Sequence, residues 1–201
     1  MSLQLTRQQI VDRLAAFDVR QIDHGEHRAA AVVLAIASVD GVLGIWLTKR
    51  NPKLRAHSGQ WALPGGRVDE GESVIEAGLR ELDEELGIAL GPDAVLGELD
   101  DFQTRSGYVI SPIVAWCGDN PQLRVNEAEV ARLEHVSFED LMVDPIFITI
   151  PESDRPVIQL PLCGSLIHAP TAALMYQFRE VVLADRATRV ADLEQPVFAW
   201  K

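Results

Sequence analysis

The chain has 201 residues, 47% of them apolar and 24% charged, which are the proportions of a soluble globular protein, most simply one domain over 1–201. Its net charge of −12 argues against nonspecific binding to nucleic acid or to an anionic membrane. Two cysteines do not make a disulfide framework, and Cys117 and Cys163 both sit in apolar segments and read as buried free thiols. Residues 1–18 lack the apolar core of a signal peptide, and the longest apolar run, 29–37, is far too short to span a bilayer, so a cytoplasmic protein is expected.

Ile10, Val11, Leu14 and Phe17 predict a short amphipathic helix. A polar connection over 18–27 follows, and its His24 and His27 read as surface imidazoles in preference to metal ligands. The β-branched run 30–37 predicts a buried strand, Asp40-Gly41 a hairpin turn, and 42–48 the returning strand. Residues 49–60 form a loop rich in basic and turn residues that leads to Pro64-Gly65-Gly66.

A carboxylate-rich helix follows directly. Ser73 and Glu76 have the spacing of a capping box, and Gly87 stands where a left-handed residue ends a helix, so the helix covers about 74–86. At 100° per residue Ile75, Gly78, Leu79, Leu82 and Leu86 form one core-facing stripe. Glu81 and Glu85 lie together at its edge, with Glu84 beside them. On charge pattern alone this is a solvated acidic face. Three acids in five residues at the margin of a buried stripe also suggest a bound cation, and an all-oxygen set suits Mg²⁺ or Mn²⁺ better than Zn²⁺.

Beyond the helix, 94–102 and 108–117 read as strands joined around Ser106-Gly107, 118–121 as a turn, and 129–136 as a strand. Ser137 is placed to cap a short helix over 138–142. A proline-containing loop is expected over 144–161, then a last helix from Pro170 to about 184 and a docked end at 197–200.

Spacing adds what charge pattern lacks. Gly66, Glu72 and the run Arg80-Glu81-Leu82-x-Glu84-Glu85-x-Gly87-Ile88 match all nine constrained positions of the Nudix box, over 66–88. The chain therefore resembles the Nudix hydrolases. That resemblance implies an α/β/α sandwich with a mixed central β-sheet, and metal-dependent cleavage of a diphosphate linked to another group. It makes Glu81 and Glu85 the metal ligands, with Glu84 and the Gly66 carbonyl as further candidates. Arg80 would pair with and orient acids such as Glu72 or Glu84. The base that activates water is left open between Glu81 and a glutamate from another loop, with Glu129 the first choice there.

The segment 47–66 carries a second signature. Thr48, Arg50, Arg55, Gly59 and Pro64-Gly65-Gly66 fit the pattern of the coenzyme A pyrophosphatase branch, while Trp46, Asn51 and Leu63 depart from it. The run 99–108 is also similar to that branch, and 168–172 is less faithful. Arginine bonds two phosphate oxygens at once, so Arg50, Arg55 and Arg67 are candidate substrate contacts. The expected partner is a small nucleoside diphosphate derivative: coenzyme A or its acyl forms first, ADP-ribose, NADH or a damaged nucleotide second, and a silent ligand-binding domain third. A homodimer is left open.

Overall fold

The computed structural model describes residues 5–53 and 59–200. Helix α1 (Arg7–Ala15) opens with a capping box between Thr6 and Gln9 and buries Ile10 and Leu14. Strands β1 (Arg28–Val39) and β2 (Val42–Arg50) form the predicted hairpin. Asp40 and Gly41 both take positive φ, 51° and 82°, as a two-residue turn between right-twisted strands requires.

The β1–β2 ladder covers only the four pairs from Ile36↔Ile45 to Val39↔Val42. Farther along β1, its place is taken by β4 (Gly65–Arg67), which pairs Val32↔Gly65, Ala31↔Gly66 and Ala30↔Arg67. Strand β3 (Trp61–Ala62) pairs with the far end of β2. The two long strands thus diverge, and the glycine turn fills the gap. On its other side β1 runs parallel to β7 (Tyr108–Asp119), and β8 (Val130–Ser137) lines the outer edge of β2.

Helix α2 (Val74–Leu86) covers one face of this mixed sheet. Leu79, Leu82 and Leu86 pack there against Val33, Ala35, Ala37, Ile113 and Ala115. The even-numbered neighbours Leu34, Ile36 and Val114 face the opposite way, into a larger core shared with α1 and α3 (Thr171–Phe178). Helices on both faces make the α/β/α sandwich expected from the sequence.

Five expectations need correction. The strand over 94–102 is broken: β5 (Val95–Glu98) and β6 (Phe102–Gln103) flank a turn in which Asp100 and Asp101 are buried. Their carboxylates accept the N–H groups of Arg20 and Ile22, both at 2.8 Å, and Arg189 reaches Asp100 at 2.6 Å. The helix over 138–142 is a single 3₁₀ turn, Asp140–Met142, although Ser137 Oγ does accept the Asp140 N–H at 3.0 Å. The loop over 144–161 is a second sheet, formed by β9 (Ile146–Ile150), β10 (Ser153–Leu162) and β11 (Ser165–His168). Prolines misled there: Pro156 falls within the irregular stretch between Ser153 and Val157, where the ladder needs no donor. Cys163 is only half-buried, unlike Cys117, and both thiols are free. Pro170 stands at the N-cap position, just outside the first turn of α3 and with no side-chain cap hydrogen bond, and α3 continues as a π turn over Arg179–Leu183.

Smaller points match. His24 is exposed and His27 meets Gln103 at 2.9 Å. The chain end docks through a 3₁₀ turn, Val197–Ala199, with the Trp200 indole donating to the Gln195 carbonyl at 2.9 Å. Among the described residues no helix is long and apolar enough to cross a membrane.

Glu194 ties the tail to the fold. Burial alone would raise its pKa, but Arg105 at 2.6 Å, the Gln195 N–H, Ser153 and Arg155 outweigh that and hold it at about 2. A depressed folded pKa stabilises above the unfolded value of 4.5 and stops doing so as pH falls toward 2. Glu194→Gln should therefore destabilise the protein at pH 7 by about 1.5–3 kcal/mol. In urea titrations at pH 7, 4 and 3, its gap from the parent should close with falling pH; a constant gap would contradict the assignment.

Candidate functional site

The glycine turn sets the site. A Cβ on Gly65 would strike the Ala31 carbonyl oxygen and come within 2.7 Å of Val32 Cα. A Cβ on Gly66 would land on the Glu81 carboxylate, 2.5 Å from its Cδ. Only glycine lets backbone slot between β1 and α2 at these two positions. Helix α2 starts as predicted: Ser73 Oγ accepts the Glu76 N–H at 3.2 Å and Glu76 returns the bond to the Ser73 N–H at 2.8 Å. Gly87 ends it with φ of 70°.

Arg80 is the hub of the acids. It donates to Glu72 at 2.9 Å and to Glu81 at 2.8 Å, lies 3.4 Å from Glu84, and reaches the Arg67 carbonyl at 3.1 Å. The Arg80 hydrogen bond, helped by the Asp69 N–H, pulls the Glu72 pKa below its ordinary value. Glu84 is the outlying member, with 53% of its side chain exposed.

Glu85 is the opposite case. Its side chain is 3% exposed, and its Oε2 is buried with no hydrogen-bond partner. Burial pushes its pKa up to about 8, against the pull of Arg50 and the Gly65 main chain, and Glu81 and Glu129 push the same way as burial. Arg50 Nη1 stands 4.0 Å away, and Arg50 Nε is also buried without a partner. Glu129 is brought to this end by its own loop. The Asn126 amide donates to it at 3.2 Å, the Asn126 N–H bonds the Glu85 carbonyl, and the Asn51 N–H bonds the Glu129 carbonyl at 2.7 Å.

Among the described residues no three His, Cys, Asp or Glu side chains already form a metal cage. Glu81 is turned to Arg80, and Glu85 faces β2 and β4. The donor set still fits a hard divalent cation: a buried carboxylate oxygen without a partner, a second carboxylate pressed on Gly66, and oxygen ligands throughout.

Behind the turn lies a cleft of about 310 Å³, lined by residues including Gly65, Gly66, Arg50, Trp61, Arg67 and Tyr108. A second hollow of about 230 Å³ adjoins it, sharing Trp61, Pro170 and Thr171. Arg55 lies outside the described residues. The sequence reading passed over Tyr108, which lines this cleft, and Arg28, which bonds to it. Both guanidiniums, of Arg28 and Arg67, donate to Tyr108 Oη, at 3.1 and 3.0 Å. Burial works against ionisation of the phenol, but these bonds outweigh it and hold its pKa below the ordinary value. No sequence spacing signals the pair, because Arg28 and Tyr108 meet only through the β1–β7 register.

The NUDIX domain family matches residues 26–160, and the chain belongs to that family. It is 40% identical over 108 residues to the uncharacterized Nudix hydrolase NudL of Yersinia enterocolitica, covering 53% of this chain and 54% of that protein. To Nudix hydrolase 3 of Caenorhabditis elegans it is 32% identical over 124 residues, covering 60% and 52%. The chain thus spans about half the length of these two relatives. The fold is shared with a MutT/nudix family protein from Enterococcus faecalis, with a TM-score of 0.56 at 16% identity, covering 89% of this chain and 70% of that one. A Nudix hydrolase from M. smegmatis, RenU, gives a TM-score of 0.53 at 20% identity, covering 81% and 90%.

The cap offers a check of the helix that carries the acids. Ser73→Ala should remove about 1 kcal/mol. In a chain of this size that is a fall of about 2–4 °C in Tm by calorimetry; an unchanged Tm would mean the box does not hold the start of α2.

Proposed function

We propose that this chain is a hydrolase that cleaves the diphosphate bond of a nucleoside diphosphate derivative with the help of a divalent cation. The observation that carries the reading is Glu85, a carboxylate buried without a partner for Oε2 beside the Gly65-Gly66 turn. An intact acidic set at the box spacing favours this over a silent ligand-binding domain.

Glu81 and Glu85, with the Gly66 carbonyl, would hold the cation, and Glu84 is the outer candidate. Bound Mg²⁺ or Mn²⁺ supplies neutralisation of the phosphate charge and a lowered pKa for an attacking water. Arg80 holds Glu72 and Glu81 in place through its two short bonds. Arg50, beside Glu85 and with an unpartnered Nε, contacts the phosphate. Glu129, close enough to Glu85 to oppose its ionisation, takes the proton from the attacking water.

The finer reading is that the substrate is coenzyme A or an acyl derivative, cut to 3′,5′-ADP and 4′-phosphopantetheine. The segment 47–66 supports it, with Arg55 a further phosphate contact. So does the paired hollow, whose second part is walled by Leu166, Ile167, Pro170 and Phe198 and suits a long, largely apolar arm. The partner on this reading is a small-molecule nucleotide, and the protein acts in the cytoplasm.

A hydrolysis screen with Mg²⁺ or Mn²⁺ over coenzyme A, ADP-ribose, NADH and nucleoside triphosphates tests this directly. Coenzyme A should be the fastest; rapid cleavage of another member with coenzyme A untouched would reject the finer reading alone. Glu85→Gln keeps the volume and loses the charge, so it should abolish metal-dependent turnover with the circular dichroism spectrum unchanged. Glu129→Gln should lower kcat by about a hundredfold with little change in KM; a kcat within twofold of the parent would remove Glu129 as the base.

A further inference from the structure

The second sheet, away from the acids and the cleft beside them, ends in an open strand. Its order is β11-β10-β9, and among the described residues no strand pairs with the outer edge of β9. An edge strand with one solvated face normally alternates apolar and polar residues and carries a charge that keeps other strands away. β9 does neither. It reads Ile146-Phe147-Ile148-Thr149-Ile150, and its first three side chains are 40%, 47% and 38% exposed. The nearest charged residues, Asp144 and Glu152, stand beyond Pro145 and Pro151, in a chain whose net charge is −12. An uncharged, β-branched edge of this kind is a template for another strand.

The register shows what that edge offers. Cys163-Gly164 is a two-residue turn closed by the pair Leu162↔Ser165. Such a closing pair exchanges its main-chain hydrogen bonds, and bonding then alternates along the strand. The main chains of Leu160 and Leu162 therefore address β11, and those of Val157, Gln159 and Pro161 address the β9 side. Pro161 has no N–H to give, and the β9 ladder accordingly stops at Gln159↔Ile146. Ile146 and Ile148, opposite Gln159 and Val157, turn their main-chain groups to β10. Phe147 and Thr149 turn theirs to the open edge. An occupant of that edge is therefore an extended strand.

The residues of β9 select the strand. Its isoleucines at 146, 148 and 150 read the same in either direction. An antiparallel two-fold apposition centred on Ile148 sets Ile148 against its own copy and Ile146 against Ile150, on one face of the sheet, as β-branched cross-strand pairs. On the other face it sets Phe147 against Thr149, the two residues whose N–H and C=O groups point outward. A charge within the strand would be held near its like across such an axis, and the strand has none. Two chains of net charge −12 repel elsewhere, so an uncharged strip is where two copies can meet. We propose that β9 is a self-association edge, through which two copies of this chain join β9 to β9 about a two-fold axis at Ile148 and make one continuous sheet. The proposal is independent of the hydrolase reading.

Sedimentation velocity from about 1 to 100 µM tests this, and the parent should dimerise within that range. Ile148→Lys sets two ammonium groups against each other at the axis and should weaken dimerisation at least about tenfold, as should Ile148→Glu. An equimolar mixture of the two variants should recover the dimer, because an axis at residue 148 opposes Lys to Glu. Val42→Lys replaces an apolar side chain that is 51% exposed on the β1–β2 hairpin, and it should leave the dimer unchanged. If the variants at 148 lose the parent's circular dichroism spectrum, amide hydrogen exchange of the parent alone decides. The Phe147 and Thr149 amides should exchange at least about tenfold more slowly where the dimer predominates than where the monomer does. A parent that stays monomeric throughout leaves the edge to a strand of some other protein and overturns the proposal. A dimer that survives Ile148→Lys, a mixture of the two variants that stays monomeric, or exchange independent of concentration overturns it as well.

Discussion

Between β1 and α2 there is room for one strand of bare backbone. Gly65 lies against the main chain of Ala31 and Val32, so a side chain there would push β4 off β1, and Gly66 lies against the carboxylate of Glu81, so a side chain there would displace that acid. Gly78 plays the matching part inside α2, where an added Cβ would stand 2.7 Å from Ile113. Because the helix sits this low, the acids at its end reach the sheet. Glu85 is buried for that reason, and Arg50 on β2 is near enough to answer it.

The acids then divide by what surrounds them. Glu72, Glu81 and Glu84 are gathered by Arg80, which neutralises part of their mutual repulsion and fixes their orientation. Glu85 has only Arg50, 4.0 Å away, and is held back from ionising by burial first and by its anionic neighbours Glu81 and Glu129. One arginine among three acids, and one acid left over in the interior, is an unstable charge distribution without a cation. It is a suitable one with a cation present.

The sequence made some of this plain and hid the rest for identifiable reasons. Helix α2, its capping box and its left-handed end were legible because each depends on local chemistry within a few residues, and the box spacing carried Glu81, Glu85, Arg80 and Gly66 with it. The hairpin at Asp40-Gly41 was legible on the same grounds. Strands β9–β11 were obscured by Pro156 and Pro161, although Ile146-Phe147-Ile148-Thr149-Ile150 alone has the composition of a strand. The break at Asp100-Asp101 depends on donors from residues about eighty positions away, which no local pattern reports. Arg28 and Tyr108 were missed likewise, because strand register, not spacing along the chain, makes them neighbours.

The strict alternation of β4 also bears on how such a chain can change over time. Gly66 and Arg67 are consecutive, yet one belongs to the helix side and the other to the cleft side. A substitution at a cleft-side position such as Ala30, Arg67 or Tyr108 changes the lining of the cleft. An insertion or deletion of a single residue at this turn would exchange the two sides, pointing an arginine into the acids and an empty position into the cleft. Descendants of this chain should therefore acquire new ligand preferences by exchanging residues on β1, β4 and β7 while their lengths stay fixed, with gains and losses of chain confined to the connections outside them.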